Sequence, residues 1–124
     1  MKYVILIYSN PESREIWANI PADERRVGLT AYEELNAELE ASGELIVTEA
    51  LVEPSRAKRV STSEGRTVTS DGPFPEAKEL LGGFYLVDCA SEERATEIAA
   101  RIPEAYLGLV ELRPVMGSLE DFVE

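Results

Sequence analysis

The stretch Lys2-Tyr3-Val4-Ile5-Leu6-Ile7-Tyr8 decides the fold. Side chains alternate across a strand, so Tyr3, Ile5 and Ile7 share one side and Val4, Leu6 and Tyr8 the other. Both sides are apolar or aromatic, and such a strand needs cover on both faces. The run is too short for a membrane helix. It has one Lys before it and no small-residue cleavage site after it, so it reads as a first strand, not a signal peptide. Asn10-Pro11 breaks it.

The two-faced pattern returns at Phe84–Cys89, introduced by Gly82-Gly83. Residues 11–20 read as a connection or short helical turn around Trp17. Pro21 opens a helix with Asp23 and Glu24 near its positive end, and Gly28, Tyr32, Leu35 and Leu39 step along one face. Gly43 ends it. Leu45–Leu51 is a second strand, stopped before Pro54. Arg59–Thr62 and Arg66–Ser70 flank Gly65 as a hairpin. Asp71-Gly72-Pro73-Phe74-Pro75 has the composition of a loop. Ser91 caps a second helix with Glu92 and Glu93 in its first turn and Ala95, Ile98, Ala99 and Ile102 as its buried stripe. Pro103 ends that helix, and Leu107–Val115 is the last strand. The reading is one domain over residues 1–115 and an acidic tail over 116–124, with Leu119, Phe122 and Val123 as anchors.

The order predicts an α+β fold of ferredoxin-like βαβ-βαβ type with an inserted hairpin. Two helices cover one face of a four-stranded sheet. The second face calls for a second copy, a homodimer, or else for the tail folded across it. A charge at Ile5 or Ile7 is expected to break the pair or unfold the chain.

Composition narrows the chemistry. The 124 residues contain no histidine and one cysteine, Cys89. Ser–His–Asp triads, Cys–His pairs, histidine-bearing zinc sites and intrachain disulfides are excluded. Cys89 sits in an apolar run and reads as a core thiol, and its isolation suits a reducing cytoplasm. Twelve basic against 24 acidic residues give a net charge of −12. That balance opposes nucleic acid as a partner, and no apolar run is long enough for a membrane. No glycine-rich phosphate loop stands in the chain, and no cofactor is expected.

Three segments carry a resemblance. Lys2–Tyr8, the run Thr69-Ser70-Asp71-Gly72-Pro73-Phe74-Pro75-Glu76-Ala77-Lys78-Glu79 with Leu81–Val87 after it, and Gly108–Pro114 together resemble the YCII-related superfamily, in its DGPF-motif branch. The similarity spans nearly the whole chain. It implies a ferredoxin-like fold paired into a dimeric α+β barrel. Some relatives carry a histidine and an aspartate proposed as a catalytic pair, of which only an aspartate has a counterpart here. The resemblance also implies a regulatory link to extracytoplasmic-function sigma factors.

Asp71 is the candidate catalytic and ligand-binding carboxylate, and it equally serves as the residue that fixes a turn before Gly72-Pro73. Lys78 is expected to pair with Asp71 or with an anionic ligand. Glu76 and Glu79 fall on one side of a helical turn, where two carboxylates can hold a divalent cation; a solvated charged turn is the favoured reading, so no metal site is expected. Arg113 is either an edge group paired near Glu111 or an anchor for a carboxylate. Tyr8 and Tyr85 are packing residues with polar tips that can reach a ligand. Two functions fit: a dimeric small-molecule-binding or regulatory module, and a small-molecule lyase, isomerase or cofactor-free monooxygenase with Asp71 as acid or base and Lys78 or Arg113 beside it.

Overall fold

The computed structural model describes residues 1–74 and 76–123; Pro75 of the expected loop and Glu124 of the expected tail lie outside them. Strand β1 (Lys2–Ser9) pairs antiparallel with β5 (Leu80–Asp88) on one side and with β6 (Val110–Pro114) on the other. Strand β2 (Leu45–Ala50) closes the far edge against β5, giving the order β2-β5-β1-β6. This is the ferredoxin-like arrangement, with β1 and β5 central. Those two strands are the ones the sequence marks as apolar on both sides.

Three helices follow from local chemistry. Helix α1 (Pro11–Asn19) starts at a reciprocal cap: the Ser13 N–H donates to Asn10 Oδ1 at 2.7 Å and the Asn10 N–H to Ser13 Oγ at 2.9 Å. Helix α2 (Ala22–Ser42) ends on Gly43, whose φ of +80° is the left-handed turn that glycine adopts most readily. Helix α3 (Glu92–Ala100) starts at Ser91, whose Oγ accepts from the Arg94 N–H at 3.1 Å. Leu35 and Leu39 of α2 and Ala95, Ile98 and Ala99 of α3 pack with Tyr3, Ile5, Ile7, Tyr85 and Val87 into one core. Both helices therefore cover the same face of the sheet.

The inserted hairpin, β3 (Lys58–Ser63) and β4 (Arg66–Asp71), is a two-stranded sheet of its own. It turns at Glu64-Gly65, both at positive φ, the backbone of a two-residue hairpin turn.

Several expectations are corrected. Gly82 and Gly83 do not precede β5 but lie inside it. A Cβ at Gly83 would stand 2.9 Å from the Glu49 carbonyl oxygen, so the close approach of β2 requires glycine there. The last strand begins at Val110, not Leu107, because Pro103–Leu107 winds into a 3-10 turn closed by Gly108 at φ +69°. Pro21 flanks α2 as its cap instead of opening it. The stretch around Trp17 forms a full nine-residue helix. Leu119, Phe122 and Val123 do not anchor the tail: they sit on or beside a 3-10 turn with their side chains largely exposed. Among the described residues no helix is long and apolar enough to cross a membrane.

Candidate functional site

The second face of the sheet is open. Directly paired residues point to the same side, and two rows can be read across the strands. Val47, Leu86, Val4 and Arg113 form one; Glu49, Phe84, Leu6 and Glu111 form the next. Val4, Leu6, Phe84 and Leu86 are only half-buried. The floor is thus apolar along β5 and β1, with charge on the outer strands. The Tyr8 phenol donates to Glu111 Oε1 at 3.2 Å. Burial first, then that bond, push the phenol's pKa up, so Tyr8 stays a protonated donor.

At the edge of this face lies a cleft of about 440 Å³, between the root of the hairpin, the loop after β4 and the start of β5. Leu51, Val52, Pro54, Phe74, Leu80 and Leu81 give it apolar walls. Arg56, Lys58 and Arg59 also line it, with Glu53 and Glu79. The walls are held by backbone bonds. The Gly72 N–H donates to the Ala57 carbonyl at 2.7 Å, and the Leu51 N–H to the Gly82 carbonyl at 2.9 Å. Gly72 has φ +86°, so the chain turns back on the hairpin root at a residue with no Cβ to strain. The Arg59 guanidinium lies over the Phe74 ring at 5.5 Å.

The five residues singled out from sequence fall in four places. Asp71 ends β4 with its side chain 88% exposed, and its charged neighbour is Lys58 at 3.4 Å, not Lys78 or Arg113. Lys78 is exposed in a segment that bends without forming a helical turn, so Glu76 and Glu79 do not share a helical face. Tyr8 and Arg113 stand on the open sheet face. Tyr85 is on the opposite face, 1% exposed, its hydroxyl donating to Asn36 Oδ1 in the core. It cannot meet a ligand on the face that Tyr8 occupies, because it pairs with Ile5, one residue out of phase with Tyr8. The cleft residues Arg56, Lys58, Arg59 and Phe74 were not singled out. The signal was present: three of the chain's 12 basic residues fall within four positions of an otherwise acidic sequence.

Other reactive groups are accounted for by the core. Cys89 is buried, and desolvation together with the nearby Glu44 carboxylate pushes its thiol up, which leaves it unreactive. Tyr32 donates to Glu104 Oε1 beside the core. Among the described residues no group of three His, Cys, Asp or Glu side chains is placed to hold a metal ion. A second groove, of about 450 Å³ between α1 and α2, is rimmed by Glu12, Glu15 and Glu24.

A family model described as "YCII-related domain" matches residues 1–119. An uncharacterized protein of Rhizobium meliloti (strain 1021) is 33% identical over 117 residues, covering 93% of this chain and 92% of its own. Among solved structures, the chain is similar to 5-chloro-2-hydroxyhydroquinone dehydrochlorinase from Burkholderia phenoliruptrix AC1100, in complex with 2,5-dihydroxybenzoquinone. That likeness is at 15% identity and a TM-score of 0.49, over 95% of this chain and 96% of the other.

Proposed function

The chain belongs to the YCII-related family, and on that premise we propose that it works as a homodimeric small-molecule-binding or regulatory accessory protein of the DGPF-motif branch. The observation that carries this reading is the continuity of two surfaces. The apolar sheet face left open by the helices runs through Leu81 into a walled cleft. A second copy seated on Val4, Leu6, Phe84 and Leu86 covers the face as a dimeric α+β barrel and leaves the cleft beside the joint. The size and mixed lining of the cleft suit a small ligand with a few polar contacts.

The alternative, Asp71 as an acid or base of an enzyme, is less well supported. Its carboxylate is exposed to solvent and tied to Lys58, whereas a working acid or base is held in a pocket against the reacting atom. In this reading Asp71 positions Lys58 at the cleft.

Thermal melts against a library of small metabolites test the proposal. At least one compound is expected to raise the melting temperature of the wild-type protein, and Phe74→Ala, which removes an exposed wall of the cleft, is expected to abolish that rise while leaving the unliganded melt unchanged. Stabilisation that survives Phe74→Ala unaltered would place the ligand elsewhere and contradict the assignment.

A further inference from the structure

Resting on that reading of the cleft, we infer that its ligand is an anion with a flat apolar body, such as an aromatic carboxylate, and that Arg59 is the group that holds the negative charge. Arg59 is half-buried on β3, and its Nε has no hydrogen-bond partner among the described residues. Nor does its guanidinium form an ion pair among them. A buried guanidinium Nε–H without an acceptor is unfavourable, and a carboxylate that also meets an Nη–H completes it with paired, charge-assisted bonds.

The comparison inside the molecule is Arg25. It too lies over an aromatic ring, Trp17 at 5.4 Å, and its Nε likewise has no hydrogen-bond partner among the described residues, but its Nη2 donates to the Ala18 carbonyl at 3.1 Å. Arg25 therefore serves as a clamp between α1 and α2, and Arg59 has no such occupation. The carboxylates that also line the cleft, Glu53 and Glu79, are exposed, so water screens them more than it screens the half-buried Arg59. Lys58 is partly neutralised by Asp71 at 3.4 Å. Phe74, 65% exposed beside the guanidinium, offers a ring face for the flat body of the ligand.

The test uses 2-naphthoate and its neutral isostere 2-naphthamide as probes of the full chain, followed by nitrogen–proton spectra that include the arginine Nε–H signals. Naphthoate is expected to shift the Arg59 Nε–H and the amides of residues 51–59 saturably, with naphthamide about tenfold weaker or worse. Arg59→Gln is expected to reduce naphthoate to the level of the amide, and Arg59→Lys to restore part of the difference. Arg66→Gln, which removes the same charge from the next strand away from the cleft, is expected to leave it intact. If the amide binds the cleft as tightly as the acid, the inference fails while the cleft remains a ligand site. If neither probe moves these signals at millimolar concentration, the inference is overturned, and the cleft reading is decided separately by the metabolite melts with Phe74→Ala.

Discussion

Tyr8 and Leu81 stand directly opposite each other on β1 and β5, and Leu81 also lines the cleft below the hairpin. The pair joins the open sheet face to the cleft. Tyr8 turns its hydroxyl away, toward Glu111 on β6, so the junction itself is apolar. A register shift between Ile7 and Tyr8 lies at this point, and such irregularities re-aim side chains near strand ends.

The two glycines of β5 make different demands. A Cβ at Gly83 would meet the Glu49 carbonyl at 2.9 Å, whereas one at Gly82 has its nearest atom, the Ile7 carbonyl, at an ordinary 3.6 Å. Gly83→Ala is therefore expected to destabilise the fold by about 1–3 kcal/mol through displacement of β2, and Gly82→Ala by much less. Equal losses in denaturant melts of the two variants would refute the close-approach explanation.

The Asp71-Gly72 step separates a charge role from a backbone role. Gly72→Ala forces a side chain into the left-handed region and is expected to cost about 1–2 kcal/mol. Asp71→Asn should leave the melting temperature essentially unchanged, since the Lys58 pair is exposed. A large drop for Asp71→Asn in calorimetry would show that the carboxylate holds more than this pair.

The clearest pH dependence belongs to Glu44. Bonds from Arg94, Nη2 to Oε1 at 2.9 Å and Nε to Oε2 at 3.0 Å, hold its carboxyl below the ordinary 4.5, with burial pulling the other way. A carboxyl with a depressed folded-state pKa stabilises the fold above its unfolded value, and that contribution is lost as pH falls through the folded value. Glu44→Gln is thus expected to lower the melting temperature by several degrees at pH 7, with the gap to wild type closing below pH 4.5. A gap that persists unchanged into strong acid would rule the ion pair out as its cause.

Much of the fold was legible because it rests on periodicity. The alternation of Tyr3, Ile5 and Ile7 against Val4, Leu6 and Tyr8 separates the core face from the open one, and the stripe Ala95, Ile98, Ala99 and Ile102 is the buried side of α3 and its end. What was missed depends on contacts remote in sequence. Gly82-Gly83 reads as a break unless the Glu49 carbonyl of another strand is known to press against it. Leu107-Gly108-Leu109-Val110 reads as strand until the left-handed Gly108 stops a 3-10 turn there. Tyr8 and Tyr85 look equivalent as aromatic tips, and only the register sends one to the open face and the other to Asn36. Asp71 drew attention as the charged residue of a signature loop, while the basic run Arg56–Arg59 held the less expected signal, a local reversal of the chain's charge.

The pairing of two copies through the open face is the central claim, and sedimentation velocity of the unmodified protein beside Leu6→Glu tests it most directly. Ile5 and Ile7 face the helices inside one chain, so a charge there unfolds the protein and says nothing about pairing; Leu6 is the residue on the open face. The account predicts twice the chain mass for the wild type at micromolar concentration. It predicts a folded single chain for Leu6→Glu, because an unpaired carboxylate at the joint is costly to bury. A wild-type protein that sediments as a stable, folded monomer would contradict it.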